Sequence, residues 1–581
     1  MIIRSLAIEN FKCIGDEIRF SIKPITLLFG ANSCGKSTLI QAIHYAREIF
    51  LHENIDVDIT ESGGDVFNLG GFKSFVHNHD ISREIGIRFD LDLTEIDLSD
   101  YILDSEIESR SEISDWENRA MELVSKVNSG WVKIVIAWNK WLDRPIVKFY
   151  EVGLNNHIFA KIVADDEYRQ FELIVFKNNV LPYNQFLIDH FDLFEKFMVP
   201  SARNVNEDNS LETNINFPHD DLTEDWTRDI DNYEPDYFES DYEEQEDGLD
   251  DEQSDPDSSD SNPSIDLPLS ISLQIKQSTV LPDRNANILV LDPEWQTGDY
   301  ETDQFYKTTI NALVKGPGIV LTELLTQFRY LGPLRDIPSR LYSPVLSKNE
   351  SRWASGIAAW DVLNFSPPEF IDKINTWLSG SENLNAGYKV EVKQFKEIDI
   401  SDPISLAMLR GNLLDEIHAD QHYGKIPIKS RLYLREESTN LELYPNDVGI
   451  GISQVLPVIV SALYTQRGII AVEQPELHIH PAFQVALGDV FISQVQDRDL
   501  YFLLETHSEH LILRFLRRIR ETNEGSLPPG KLPINPDQIA VYYIEHRQDG
   551  IIVNALRIDE TGEFIDSWPK GFFEEREREL L

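Results

Sequence analysis

The residues best suited to chemistry in this chain form a glycine-rich loop with the spacing G-x4-G-K-[ST], from residue 30 to residue 38. Such a loop points backbone N–H groups at phosphates, where the dipole of the following helix also favours negative charge. Lys36 is expected to reach the β- and γ-phosphates, and Ser37 to ligate Mg²⁺. The nucleotide-binding residues predicted in the loop are Gly30, Asn32, Ser33, Gly35, Lys36, Ser37 and Thr38.

A second group of candidates follows two apolar runs much later in the chain. Residues 468–472 lead into Glu473 and Gln474, and residues 500–505 lead into Thr506 and His507. A carboxylate at the end of a buried strand beside a phosphate loop is where a magnesium ligand is expected. The pattern therefore predicts a magnesium ligand among the acidic residues that end this strand. His507 is expected at the same sheet edge, within reach of the γ-phosphate.

A glycine-rich turn precedes the apolar helical run at 455–463. Its candidate residues are Gly449, Gly451, Ser453 and Gln454. A turn of this kind that opens a helix is a second anion-binding geometry. The alternative is that the glycines only close a turn.

A cluster of histidines with one glutamate has two competing interpretations. Glu476, His478, His480, His507 and His510 could form a zinc site, but His478 and His480 share a face only in an extended segment, and Pro481 indicates a turn. Helix capping and packing are therefore favoured for these histidines.

A loop with several arginines, residues 328–340, has Pro and Gly at its turns. It could present Arg335 or Arg340 to phosphate. Surface salt bridges explain both arginines equally well.

The elements that must position these residues divide the chain into five parts. We expect a β-rich nucleotide lobe with the phosphate loop over residues 1–93 and an inserted α/β lobe over 94–202. A disordered acidic linker is expected over 203–268, because residues 220–260 contain 20 acidic residues against one arginine. A middle α/β region follows over 269–440. The C-terminal lobe, 441–581, holds the glycine turn, Glu473 and His507.

Composition excludes several classes of protein. The formal net charge of −48 disfavours a broadly basic DNA-wrapping surface. Two cysteines, one of them inside the phosphate loop, indicate a reducing cytoplasm rather than a disulfide framework. The first residues alternate like a strand and lack the apolar core of a signal peptide. No apolar run is long enough for a membrane span.

Taken together, the motifs resemble those of ABC-type ATPase heads in the SMC/RecF and OLD-like AAA group. The phosphate loop, the Gly-x-Gly-x-Ser-Gln turn, Glu-Gln-Pro-Glu-Leu-His-x-His-Pro and Thr-His-Ser-Glu-His carry this resemblance. The opening Ile-x-Asn-Phe-Lys and the late Ser-Trp-Pro-Lys-Gly-Phe-Phe resemble a bacterial subgroup of AAA ATPases with a C-terminal domain of unknown function.

The resemblance implies an α/β P-loop NTPase whose two heads enclose ATP and Mg²⁺ as a homodimer or higher homo-oligomer. Each phosphate loop would face the partner's glycine turn, with Glu473 as the Walker B acid and His507 as the switch histidine. Gln474 departs from the pattern because it occupies the position of the catalytic glutamate, which predicts slow hydrolysis.

The implied role is anti-phage defence or genome maintenance, with a separate nuclease or toxin as effector. No nuclease domain is expected in this chain, since only 74 residues follow His507. The alternatives are a nucleotide-dependent scaffold with a nearly inert ATPase and a DNA-repair ATPase that contacts nucleic acid.

Overall fold

The structure of the protein is a computed structural model. It describes residues 3–58, 67–101, 114–176, 270–283, 286–290, 300–340, 342–345, 347, 349–402, 405–406, 409, 424–496, 499–547 and 550–569. The expected disordered linker at 203–268 and residues 570–573 of the C-terminal motif lie outside this part of the chain.

Strands make up three sheets in the described residues. They are β1 (Ile3–Glu9), β2 (Ile18–Ser21), β3 (Ile25–Gly30), β4 (Ile85–Asp92), β5 (Ser129–Asn139), β6 (Arg144–Leu154), β7 (His157–Ala164), β8 (Phe171–Phe176), β9 (Ser270–Lys276), β10 (Leu289–Val290), β11 (Arg329–Leu331), β12 (Tyr388–Lys396), β13 (Ile428–Glu436), β14 (Glu442–Leu443), β15 (Gly468–Glu473), β16 (Leu500–Glu505), β17 (Ile539–Arg547) and β18 (Gly550–Ala555).

Helices connect and cover these strands. They are α1 (Lys36–His52), α2 (Phe72–Phe75), α3 (Asp115–Val124), α4 (Tyr300–Thr326), α5 (Ser351–Ala354), α6 (Ile357–Phe365), α7 (Pro368–Ser379), α8 (Ile450–Tyr464), α9 (Pro481–Gln494) and α10 (Glu509–Asn523). Among the described residues, no helix is both long and apolar enough to cross a membrane.

The sheet that carries the phosphate loop joins the early and late parts of the chain. Its strand order is β11-β15-β16-β3-β17-β18, and all neighbours are parallel except β17 and β18. The early strand β3 therefore lies between two strands from the last hundred residues. This topology brings the phosphate loop to the sheet edge where β15 and β16 end.

Burial on both faces explains why the strands of this sheet are almost continuously apolar. Every residue of β3, β15 and β16 is buried. Leu28 packs into the core beneath α1, whereas Leu27 and Phe29 point into the core on the opposite face. Trp568 packs edge-on against Phe29 with ring centroids 5.5 Å apart, so the C-terminal segment covers the end of β3.

A second sheet is antiparallel, with the order β10-β9-β8-β7-β6-β5-β4-β1-β2. It runs through the boundary expected at residue 93, because β4 pairs with β5 along eight residues from Ile85 to Asp92. It also continues past the linker, since β8 pairs with β9. Tyr150 of this sheet donates a hydrogen bond to the Val314 carbonyl of α4, at 2.9 Å. Strands β12, β13 and β14 form a third, small antiparallel sheet.

Candidate nucleotide-binding site

The loop between β3 and α1 has the backbone shape that its glycines allow. Gly30 and Gly35 have φ angles of 146° and 104°, in the region that residues with a side chain avoid. A Cβ on Gly35 would lie 2.6 Å from the Cys13 sulfur, and one on Gly30 would lie 2.4 Å from the Ile544 carbonyl oxygen. Both positions therefore require glycine, and the loop wraps tightly around the start of α1.

Lys36 and Ser37 open α1 and face inward from the loop. The Lys36 ammonium is buried and donates to the carbonyls of Gly30 and Ala31, at 3.1 and 2.9 Å. The Ser37 hydroxyl donates to Glu505 Oε2 at 2.7 Å. The two groups expected to meet phosphate and magnesium thus already point into one polar pocket.

The other loop residues surround this pair in different ways. Asn32 and Ser33 are exposed at the tip of the loop. Thr38 is buried, and its hydroxyl lies 3.4 Å from the Cys13 sulfur. Cys34 is also buried, and burial raises the pKa of its thiol, so this cysteine packs the loop rather than acting as a reactive thiolate.

Two buried glutamates end the strands beside β3. Glu473 and Glu505 are paired in register across β15 and β16, and both side chains are largely inaccessible to solvent. Burial and the charge of Glu505 raise the pKa of Glu473, and burial also raises the pKa of Glu505 despite the favourable Ser37 and Lys36 contacts. The Lys36 ammonium lies 3.8 Å from Glu505 Oε1. This pocket concentrates negative charge that a cation would offset.

The donor set fits a magnesium ion held together with nucleotide phosphates. Glu473 Oε1 is buried and makes no hydrogen bond of good geometry within the described chain, although the buried Tyr330 hydroxyl interacts with this carboxylate. Together with Ser37 and Glu505 it offers oxygen ligands only, the type that Mg²⁺ takes from proteins. No three His, Cys, Asp or Glu side chains of the described chain gather into a cage for a metal.

Gln474 and His507 follow the two glutamates at the same edge. Gln474 has a φ of 44°, and its backbone N–H donates to the Glu505 carbonyl at 2.7 Å. The His507 backbone N–H donates to Glu476 Oε1 at 2.7 Å, and the Thr506 hydroxyl donates to the other oxygen at 2.8 Å. Glu476 therefore braces the segment that carries the histidine.

The imidazole of His507 is available for a ligand. Its Nε2 atom is buried and has no hydrogen-bond partner within the described chain. Burial, with a smaller contribution from the Lys36 charge, lowers the pKa of His507, so the ring is neutral at pH 7. The remaining histidines of the zinc hypothesis are exposed, and His480 caps α9 by accepting a bond from the Ala482 N–H at 3.2 Å.

The glycine turn forms the start of α8, with Gly449 as its N-terminal cap. Ser453 and Gln454 are buried inside the protein: the Ser453 hydroxyl donates to the Pro445 carbonyl at 3.1 Å, and the Gln454 amide donates to the Arg335 carbonyl at 2.7 Å. Gly449 and Ile450 remain exposed. Backbone groups, rather than the Ser453 and Gln454 side chains, are thus the accessible part of this turn.

Arg335 connects this turn to β15, a role that motif reasoning missed. Arg335 is 3% exposed, and its guanidinium donates to the Glu473 carbonyl at 2.8 Å and, more weakly, to the Gln454 carbonyl at 3.4 Å. Burial lowers the pKa of Arg335 to about 10, against the raising effect of Glu476. Arg340, in contrast, forms a surface ion pair with Asp447 at 2.7 Å. The two alternatives therefore separate: Arg340 is the surface salt bridge and Arg335 is not.

A phosphate loop between a central parallel strand and a helix, with acids ending the adjacent strands, defines a P-loop NTPase. Residues 1–300 and 351–512 match the family model described as an AAA ATPase domain. This match covers well over half of the chain, which therefore belongs to the AAA ATPase domain family. Residues 534–581 match a family described as a protein of unknown function (DUF3696). The α/β P-loop fold expected from the sequence is confirmed.

Comparison with other proteins adds only distant likenesses. No curated protein matches the chain. Among solved structures, the chain is similar to an SmcHead bound to the C-winged helix domain of ScpA, with 8% identity and a TM-score of 0.33, over 96% of this chain and 98% of that one. An Smc head with an extended coiled coil, bound to the C-terminal domain of ScpA derived from Pyrococcus furiosus, has 8% identity and a TM-score of 0.32, over 100% and 98%. At these scores neither structure bears on the function.

Proposed function

We propose that the protein is an ATP-binding switch that hydrolyses ATP slowly and dimerises through heads that enclose the nucleotide. The observation that carries the proposal is the polar pocket in which Lys36 and Ser37 meet Glu505, with Glu473 beside it. A hydroxyl donor and a cation beside one buried acid, with a second buried acid on the neighbouring strand, are suited to a magnesium–triphosphate ligand. Membership of the AAA ATPase family supports this assignment.

The residues of the pocket have distinct proposed roles. The backbone of Gly30, Ser33, Gly35 and Thr38 and the side chain of Asn32 would form the phosphate cradle, and Lys36 would neutralise the β- and γ-phosphates. Ser37 and Glu473 would hold Mg²⁺, which supplies charge neutralisation at the phosphates. The free Nε2 of neutral His507 would hydrogen-bond the γ-phosphate or the attacking water.

Slow hydrolysis follows from the residue after Glu473. An amide orients a water through hydrogen bonds but cannot accept the proton of that water, and phosphoryl transfer depends mostly on positioning and electrostatics. Gln474 is therefore expected to support a low rate instead of none. Steady-state phosphate release from the full chain tests this, with Lys36→Ala as the variant that should lose nucleotide binding.

The start of α8 is the proposed contact to the partner's nucleotide. Ile450 is 51% exposed at the first turn, and Leu334 is 67% exposed in the loop that Gln454 holds through Arg335. Exposed apolar residues beside free helix N–H groups are suited to a surface that closes on an anion and a second head. Sedimentation of the full chain with and without ATP and Mg²⁺ tests whether a dimer or higher oligomer forms.

A scaffold with a nearly inert ATPase is the second candidate, and Gln474 is the observation that favours it. The two candidates differ in turnover. A stable ATP-bound dimer that releases no phosphate over hours supports the scaffold, whereas dissociation in step with phosphate release supports the switch.

The biological setting is proposed from the family resemblance: a cytoplasmic role in anti-phage defence or genome maintenance, with a separate nuclease or toxin as effector. Purification of the ATP-bound complex from its host, followed by identification of co-purifying proteins, tests for an effector. The net charge of −48 makes a DNA-repair ATPase the weaker alternative. Hydrolysis that DNA stimulates, with a steep dependence on salt, would favour it.

A further inference from the structure

Glu505 is an acidic residue that directly contacts the phosphate loop. It ends β16, the strand directly beside β3, and is paired in register with Leu28 on β3 and with Glu473 on β15. Neighbouring strands are about 4.8 Å apart, so Glu473 lies one strand spacing farther from the loop. The magnesium ligand expected from the motifs is thus the more distant of two carboxylates.

The contacts of Glu505 divide between the two reactive groups of the loop. One carboxylate oxygen accepts the Ser37 hydroxyl at 2.7 Å, and the other lies 3.8 Å from the Lys36 ammonium. Adjacent ligands around an octahedral Mg²⁺ with bonds of 2.0–2.1 Å are about 2.9 Å apart. The spacing of the Ser37 and Glu505 oxygens is therefore close to that of two neighbouring ligands of one ion.

The environment of Glu505 also favours a cation. Its side chain is 8% exposed, and a second buried carboxylate, Glu473, lies across the strand pair. Burial of two such charges is costly unless they are compensated; Lys36 is the cation beside Glu505, and Glu473 interacts with both Arg335 and Lys36. Gln474, which lacks a charge, donates its backbone N–H to the Glu505 carbonyl at 2.7 Å. Residue 474 thus brings no carboxylate to this edge of the sheet, whereas Glu505 brings one on the strand next to β3.

We propose that Glu505 is a magnesium-site residue, which holds the Ser37-bound ion directly or through one of its waters, alongside Glu473. This inference rests on the proposed ATP-binding function. It assigns a role to the first residue of the Glu-Thr-His-Ser segment, ahead of the switch histidine. The competing interpretation is that Glu505 only pairs with Lys36.

The test is the magnesium dependence of nucleotide affinity, measured with a fluorescent ATP analogue in EDTA and in Mg²⁺. Glu505→Gln should lose about tenfold or more of the affinity that Mg²⁺ adds, while its affinity in EDTA stays equal or becomes tighter. Electron paramagnetic resonance of Mn²⁺ with ATP should show weaker Mn²⁺ binding to this variant. The matched control is Glu545→Gln, because Glu545 lies in β17 on the other side of β3, is exposed, and pairs with Arg547.

Several outcomes separate the hypotheses. If Glu505→Gln keeps the wild-type gain from Mg²⁺ while Glu473→Gln loses it, Glu505 is only a partner of Lys36. If the wild-type chain binds no ATP in either buffer, the proposed function itself fails. If Glu505→Gln does not fold, Glu505→Asp is the second variant, because it keeps the charge but withdraws it by one methylene. The proposal then requires that Mg²⁺ raise the ATP affinity of this variant less than that of the wild type. An unchanged increase in affinity would overturn it.

Discussion

Replacement of Gln474 by glutamate should raise the rate of ATP hydrolysis. The φ of 44° and the bond from its N–H to the Glu505 carbonyl hold this residue in place, so a glutamate of the same shape inherits its position. A positioned general base contributes about 10² to 10⁴-fold. The new carboxylate would join Glu473, whose pKa burial and the charge of Glu505 already raise. Crowding of negative charge disfavours the ionised form of the base. We therefore expect the lower end of this range, a rise in kcat of about 10²-fold, which corresponds to an activation barrier lower by about 2.7 kcal/mol.

The assay is phosphate release at saturating ATP and Mg²⁺ for the wild type and Gln474→Glu. Gln466→Glu is a suitable control, because Gln466 is an exposed glutamine just beyond α8. Glu473→Gln should abolish turnover. A Gln474→Glu rate equal to that of the wild type, together with an inactive Glu473→Gln, would refute the placement of Gln474 at the hydrolytic position.

Three further predictions concern the dimer, the hydrogen bonds of Arg335, and the ion pair between Asp489 and Arg518. Ile450→Glu should abolish ATP-dependent dimerisation in sedimentation, because the added charge disfavours an apolar contact. Its ATP affinity should stay within about twofold of that of the wild type. The control Leu513→Glu, at another exposed apolar site, should leave the dimer intact. Arg335→Lys should lower the free energy of unfolding by roughly 1–3 kcal/mol and slow hydrolysis, since lysine lacks the fork that bonds the Glu473 carbonyl. A variant that unfolds at the same denaturant concentration as the wild type and hydrolyses ATP at the wild-type rate would contradict this role of Arg335. Asp489→Asn should cost roughly 3–5 kcal/mol at pH 7 in denaturant unfolding, because Arg518 bonds both Asp489 oxygens, at 2.7 and 2.9 Å. Burial raises the pKa of Asp489, but the Arg518 bonds and nearby cations lower it below its ordinary value, so this stabilisation is present above about pH 4 and disappears as the pH falls through the folded pKa. A difference between the variant and the wild type that persists at the lowest pH would contradict this.

Local patterns predicted much of the site. The phosphate loop could be recognised because its backbone shape depends on residues only a few positions apart, such as Gly30, Gly35 and Lys36. The strands ending at Glu473 and Glu505 could be recognised because burial on both faces demands continuous apolar runs. Their convergence beside β3 followed from the rule that parallel strands end at one edge.

Long-range packing determined what the motifs did not reveal. Arg335 is buried because Gln454 and the carbonyl of Glu473, more than a hundred residues away, meet it. The same network buries the Gln454 side chain in its own subunit, whereas the motif alone made Gln454 a candidate nucleotide-binding residue. The continuity of β4 with β5 is likewise a matter of strand pairing rather than of composition. An acid ending an apolar strand was the available signal for Glu505.

Sedimentation of the wild-type chain with and without ATP and Mg²⁺ most directly tests the claim that this is a nucleotide-dependent dimerising switch. The account predicts that the chain associates when ATP and Mg²⁺ are added, that it dissociates as phosphate is released, and that Lys36→Ala stays in its nucleotide-free state throughout. The same oligomeric state with and without nucleotide, in a chain that binds ATP, would contradict it.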